Sequence, residues 1–321
     1  MNSTTRRFFN TLRTLRHENP LGLPKSGEPP MMPRRGLPPK RGIPHVKKVV
    51  AVASGKGGVG KSTVAVNLAF SIASRKRARV GVLDLDIFGP SVPKLLGLET
   101  AGEPHLTPTG ALVPLTNHGL PAMSMGFLLP GADAPVTWRG LMVQKAVQQL
   151  LFDVDWRGAD AHGPGLDLLV IDMPPGTGDV PLSLGQLVNV DGSVIVSTPQ
   201  DVALADVRKG IAAFHKLSIP TIGLVLNQSY FLCPSCNTPH RLFGSSDAAK
   251  GLGVELLGEL PLTPGVSTGG DAGLPYALLT SRSGSETDGL AGHQWREAMT
   301  GVAERVWGAL HPGTGNVTAP R

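Results

Sequence analysis

Eight consecutive residues, Gly55-Lys56-Gly57-Gly58-Val59-Gly60-Lys61-Ser62, concentrate more chemistry than any other stretch of this 321-residue chain. A glycine, four variable positions and then Gly-Lys-Ser is the pattern of a phosphate-binding loop, whose backbone N–H groups turn inward around an anion. In such a loop Lys61 reaches the β- and γ-phosphates, and Ser62, followed by Thr63, supplies a hydroxyl for Mg²⁺. The flanks agree: Lys48–Ala53 reads as a buried strand, and Val64, Leu68 and Ile72 recur at helical spacing. The helix N-terminus adds its positive dipole end, so the segment binds a nucleoside triphosphate.

Carboxylates recur where the phosphates need them. Val80–Asp86 reads as a parallel strand ending in Asp84 and Asp86, one to orient an attacking water and the other to support Mg²⁺. Leu166–Asp172 is an apolar strand closing on Asp172, the position of the second metal-supporting acid in phosphate-loop enzymes. In the following loop, Met173–Asp179, the Gly176 N–H is placed to sense the γ-phosphate, whose loss would release the segment. Asn227 ends the strand Thr221–Asn227 and is expected at the adenine edge. Guanine readers carry Asn-Lys-x-Asp there, whereas this chain has Asn227-Gln228-Ser229-Tyr230, which favours ATP over GTP.

The chain contains two cysteines, Cys233 and Cys236, both in Cys233-Pro234-Ser235-Cys236. Two thiolates at this spacing grip a metal, but a tetrahedral iron or zinc centre needs four ligands. A [4Fe–4S] cluster bridging two chains, two cysteines from each, satisfies the count. A zinc ion held by Cys233, Cys236 and His240 with one outside ligand is a rival, and a redox dithiol a third reading. One cysteine pair in so long a chain does not form a secreted disulfide framework and agrees with a reducing compartment.

The elements that must position these groups alternate strand and helix. Further strands are read at Ser193–Ser197 and Val254–Leu260, helices at Leu141–Phe152, Ala203–Leu217 and Leu290–Leu310, and a hairpin within residues 104–130. Repeated βα units imply an α/β fold, a mostly parallel sheet with helices on both faces. No apolar run approaches the ~20 residues of a membrane span. The formal charge is +6, but residues 1–48 hold eleven Lys or Arg against Glu18 and Glu28 alone. Of the 30 basic and 24 acidic residues, the remainder then holds nineteen and twenty-two, so no basic face for nucleic acid is indicated. Residues 1–16 are Arg-rich and free of acid, with Phe8, Phe9, Leu12 and Leu15 toward one side of a helix, the make-up of a mitochondrial transit peptide. A Pro-rich linker follows. The division expected is 1–45 transit peptide and linker, 46–312 ATPase domain with the cysteine motif, and 313–321 flexible tail, in a protein of the mitochondrial matrix.

With its second lysine, Gly55-Lys56-Gly57-Gly58-Val59-Gly60-Lys61-Ser62-Thr63 resembles the deviant Walker A loop of dimerising P-loop ATPases. That resemblance implies that Lys56 reaches across a two-fold interface to the partner's nucleotide in a homodimer. Asp84–Ser91, Val136–Gly140, Leu169–Asp179, the cysteine motif, Leu260–Leu262 and Asp271–Pro275 extend it. Over about Val46 to Pro275 the chain is similar to the Mrp-type (nucleotide-binding-protein) P-loop ATPases of iron–sulfur cluster assembly. Its transit-like start resembles the mitochondrial branch, which assists cluster delivery to respiratory complex I. The resemblance implies an ATP-dependent carrier that holds a labile [4Fe–4S] cluster at a homodimer interface and passes it to apo-proteins. The competing reading is a partner-regulating or positioning ATPase of the partition and cell-division type with a structural zinc site, which leaves the cysteine pair without a cluster.

Overall fold

Strands made of unbroken Val, Ile, Leu and Ala cannot present a solvated face, so they must lie in a sheet covered on both sides. The computed structural model describes residues 39–87, 89–128, 140–158, 162–279 and 288–312. The expected transit peptide, the tail, and Val136–Arg139 of the family-like stretches lie outside them. Along the chain come β1 (Val49–Ser54), α1 (Lys61–Lys76), β2 (Val80–Asp84), α2 (Val92–Leu95), β3 (Leu115–Asn117) and β4 (Leu120–Ser124). Next are α3 (Gly140–Phe152), β5 (Leu168–Asp172), α4 (Asp179–Leu187), β6 (Gly192–Ser197), α5 (Asp201–Lys216) and β7 (Thr221–Leu226). The chain finishes with β8 (Phe231–Leu232), β9 (Pro239–His240), β10 (Leu256–Glu259), α6 (Pro264–Asp271) and α7 (Gly289–Leu310).

Among the described residues eight strands form one sheet in the order β10-β7-β6-β1-β5-β2-β4-β3, parallel throughout except for the β3–β4 hairpin at one edge. All residues of β1, β2, β5 and β6 are buried. Helices cover both faces: α1 and α7 pack together across the sheet, with Trp295, Met299, Val302 and Val306 of α7 buried, while α5 covers β6, β1 and β7. The consecutive strands β5 and β6 lie on opposite sides of β1. Where strand order reverses in this way, the carboxyl ends of the strands open a crevice, and the loop after β1 sits in it. The expected insertion hairpin turns out to extend the sheet, because β4 pairs in parallel with β2 through Val82–Ala122 to Asp84–Ser124. The strand expected to reach Asp86 ends at Asp84, whose carboxylate accepts the Asp86 N–H at 2.9 Å and turns the chain out of the sheet.

Candidate functional site

The loop between β1 and α1 is shaped from behind. Gly60, the residue before α1, has φ 80°, a left-handed conformation that favours glycine, and a Cβ there would collide with the Asn227 amide. A Cβ at Gly55 would run into Asp206 of α5. Asn227 donates from Nδ2 to the Val59 carbonyl at 2.9 Å and is itself buried. A cleft of about 500 Å³ opens in front, lined by Lys56, Gly57, Gly58, Gly60, Lys61, Ser62 and Thr63 from the loop. Asp86, Pro175, and Lys94 and Asp271 from α2 and α6 contribute to its walls.

Lys61 is buried, 6% exposed, and its ammonium meets Asp172 Oδ1 at 2.6 Å; Asp172 at the end of β5 is 0% exposed. The other oxygen, Asp172 Oδ2, is buried without a hydrogen-bond partner. A carboxylate oxygen so placed, beside the Ser62 hydroxyl that favours its charged form, is a hard donor suited to Mg²⁺. Burial pushes the Asp172 carboxyl above the usual range, opposed by the Lys61 charge. Asp84 shares this interior: burial first, then the neighbouring Asp172 carboxylate, push it up to about 7.

The expected site residues take different places around the loop. Asp84 does not line the cleft. Its Oδ1 accepts the Asp86 N–H, and its Oδ2 accepts the Val92 N–H at 3.2 Å and the Ser124 hydroxyl at 3.0 Å, so it anchors the turn that presents Asp86. Asp86 faces the cleft and lies near enough to Asp172 to disfavour its ionisation. Asn227 braces the loop through Val59. Behind the loop, Gly55 lies against Asp206 and the Val59 carbonyl accepts the Asn227 amide. The Gly176 N–H, expected at the γ-phosphate, donates to the Ser54 carbonyl at 2.9 Å, and Gly176 has φ 85°. The ammonium of Lys56 donates to Gln200 Oε1 at 2.9 Å within the same chain. Gln200 was not visible as a site residue in the sequence, since nothing in its local pattern points to the loop.

The cysteines sit on a separate two-stranded hairpin, β8–β9, in which Phe231 pairs with His240. The Cys233 N–H donates to the Thr238 carbonyl and the Asn237 N–H to the Cys233 carbonyl, with Asn237 at φ 55°, so the turn is closed by its own backbone. Cys233 is half-buried and Cys236 exposed; both are free thiols. The Cys236 sulfur lies 3.2 Å from the Thr238 hydroxyl. That hydroxyl, the Thr238 backbone and the Cys233 thiol hold the Cys236 thiol below its ordinary range. Thiolate is the form that ligates metal. Among the described residues no three His, Cys, Asp or Glu side chains gather closely enough for a metal ion, so one chain does not bring His240 to the cysteine pair. The hairpin is tied to the sheet by Arg241, which donates to Glu259 at 2.7 Å, and by a bridge between Phe231 and Leu262.

A phosphate loop beside Asp86 and Asp172, and a backbone-closed turn carrying Cys233 and Cys236, are the chemistry-bearing features of the described residues. The family model described as ParA: NUBPL iron-transfer P-loop NTPase matches residues 45–291. The mouse iron–sulfur cluster transfer protein NUBPL is 47% identical over 256 residues, 78% of this chain and 76% of its own length. The Arabidopsis thaliana iron–sulfur protein required for NADH dehydrogenase, mitochondrial, is 46% identical over 241 residues, 74% of each chain. Among solved structures, a nucleotide-binding protein of Archaeoglobus fulgidus in complex with ADP superposes with a TM-score of 0.60 at 36% identity, covering 71% of this chain and 87% of that one. The chain belongs to the NUBPL iron-transfer P-loop NTPases of the ParA family.

Proposed function

We propose that this chain is an ATPase that carries a [4Fe–4S] cluster between two copies of itself and delivers it to apo-proteins of the mitochondrial matrix, complex I subunits among them. The observation that carries the proposal is the exposed turn holding Cys233 and Cys236, the two cysteines of the chain. Four thiolates around one cluster then require a second subunit. The mouse and Arabidopsis relatives, an iron–sulfur cluster transfer protein and a protein required for NADH dehydrogenase, support the same cargo and client. Residues 1–45 serve as the import segment and linker, 46–312 as the working domain and 313–321 as a tail.

In this reading ATP occupies the cleft in front of the loop. Its phosphates draw Lys61 away from Asp172, and Ser62, Asp172 and Asp86 would hold Mg²⁺, which would supply positive charge to neutralise the phosphates. Asp86 orients the attacking water, supported by the anchored turn at Asp84. Lys56 exchanges Gln200 for the nucleotide of the partner. Hydrolysis thereby requires two subunits, as does the cluster, and the shared requirement links the two sites. The test is anaerobic transfer from the reconstituted protein to an apo-[4Fe–4S] acceptor, with and without ATP. Transfer is expected with wild type and absent with Cys233→Ser. Equal acceptor activation by Cys233→Ser would defeat the carrier reading.

A further inference from the structure

Lys56 is gripped twice. Its carbonyl accepts the Ser54 hydroxyl at 2.9 Å, which ties the backbone into the loop. Its ammonium is held separately, by Gln200 Oε1 at 2.9 Å, so the side chain can change partner while the backbone stays in place. Gln200 stands at the N-cap of α5, where Ser, Thr, Asp and Asn are favoured because a short side chain can bond the amides of the first turn. Gln200 makes no such bond. Its amide serves the lysine and not the helix. The next two residues, Asp201 and Val202, face solvent, Val202 with 71% exposure, so the lysine is parked beside an open surface.

We propose that Gln200 is a positioning residue that keeps Lys56 within its own chain and sets how readily the lysine leaves for the partner's nucleotide. The proposal rests on the trans-acting role of Lys56 above and adds the element that restrains it before assembly. The residue type suits the task. A neutral amide holds an ammonium by an ion–dipole hydrogen bond without the pull of an opposite charge, so phosphate can replace it. A carboxylate at the same place would add the attraction of a full negative charge and release the lysine less readily. Phosphate oxygens, which carry charge, outcompete the amide; they compete on less favourable terms with a carboxylate.

The experiment uses the full chain carrying Gln200→Glu, Gln200→Ala, Lys56→Ala and the two double substitutions. Turnover and ATP-dependent dimerisation are followed against protein concentration, with ATP affinity as the check on an intact loop. Gln200→Glu is expected to weaken ATP-dependent dimerisation and turnover by about fivefold, the factor an exposed ion pair supplies. Gln200→Ala shifts both toward lower protein concentration. ATP affinity, which Lys61 dominates, stays at the wild-type value in both. In the Lys56→Ala background neither Gln200 substitution moves the dimer constant. Wild-type curves for both Gln200 variants, or equal shifts with and without Lys56, overturn the proposal. Full turnover in Lys56→Ala alone removes the trans-lysine reading and the parking role with it. Lost turnover in Lys56→Ala with silent Gln200 variants removes the parking role only.

Discussion

ATP binding without Mg²⁺ should be heavily penalised in this protein, and the penalty should reside in Asp172. Lys61 and Asp172 form a buried ion pair, 2.6 Å apart with 6% and 0% exposure. When the phosphates take Lys61, Asp172 loses its cation, and its second oxygen already lacks a partner. Removing one partner of a buried pair costs ~3–5 kcal/mol. At about 1.4 kcal/mol per tenfold, the lower figure corresponds to roughly a 100-fold loss of affinity for metal-free ATP. Mg²⁺ restores a cation beside Asp172 and removes the cost. Burial also keeps this carboxyl above the usual range, so proton uptake can relieve it, and metal-free binding should tighten as pH falls. Calorimetric titration of ATP in EDTA and in Mg²⁺ measures both numbers. Asp172→Asn should bind metal-free ATP at least about tenfold more tightly than wild type and gain correspondingly less from Mg²⁺. If wild type binds ATP equally in both conditions, or if the asparagine variant repeats the wild-type ratio, the competition between phosphate and Asp172 for Lys61 is not what governs binding.

Asp84 makes a second pH-dependent contribution, in metal- and nucleotide-free protein. Its folded value of about 7 lies above the ordinary 3.8, so its stabilising share is complete below 3.8 and is lost as pH rises toward 7. Between pH 5 and 7, wild type should lose about 2 kcal/mol of unfolding free energy relative to Asp84→Asn, read from urea unfolding; parallel curves would refute this. Thr238→Val should slow alkylation of Cys236 at neutral pH, because the hydroxyl that lowers its thiol is gone. Peptide-resolved mass spectrometry gives the rate, and an unchanged one contradicts the assignment. A reporter fused to residues 1–45 should reach the mitochondrial matrix, and cytosolic retention would count against the import role.

Much of the scaffold was legible because its signals are local. Buried parallel strands announce themselves as apolar runs, and Asp84 and Asp172 mark where β2 and β5 end. The helix α4 was not read, since Pro181 and Gly185 argue against one. The proline falls in the first turn, where it costs no intrahelical bond, and Gly185 packs against Leu217 without room for a Cβ. Which atom a strand-end residue meets is a tertiary matter. Asn227 stands just past β7 and Gly176 in the loop after β5, yet the Asn227 side-chain amide goes to Val59 and the Gly176 N–H to Ser54. Gln200 lies 144 positions from Lys56, and only the parallel alignment of β1 with β6 brings the two together.

Iron content measured together with molecular mass tests the central claim most directly. The chain is reconstituted anaerobically with iron and sulfide, separated by size, and analysed for iron, sulfide and mass, alongside Cys233→Ser and Cys236→Ser. The account predicts about four irons per dimer in wild type, none held by either variant, and dissociation of the dimer as the cluster is lost. A monomer retaining four irons, or a protein that holds zinc at Cys233 and Cys236 and takes up no iron, would contradict it.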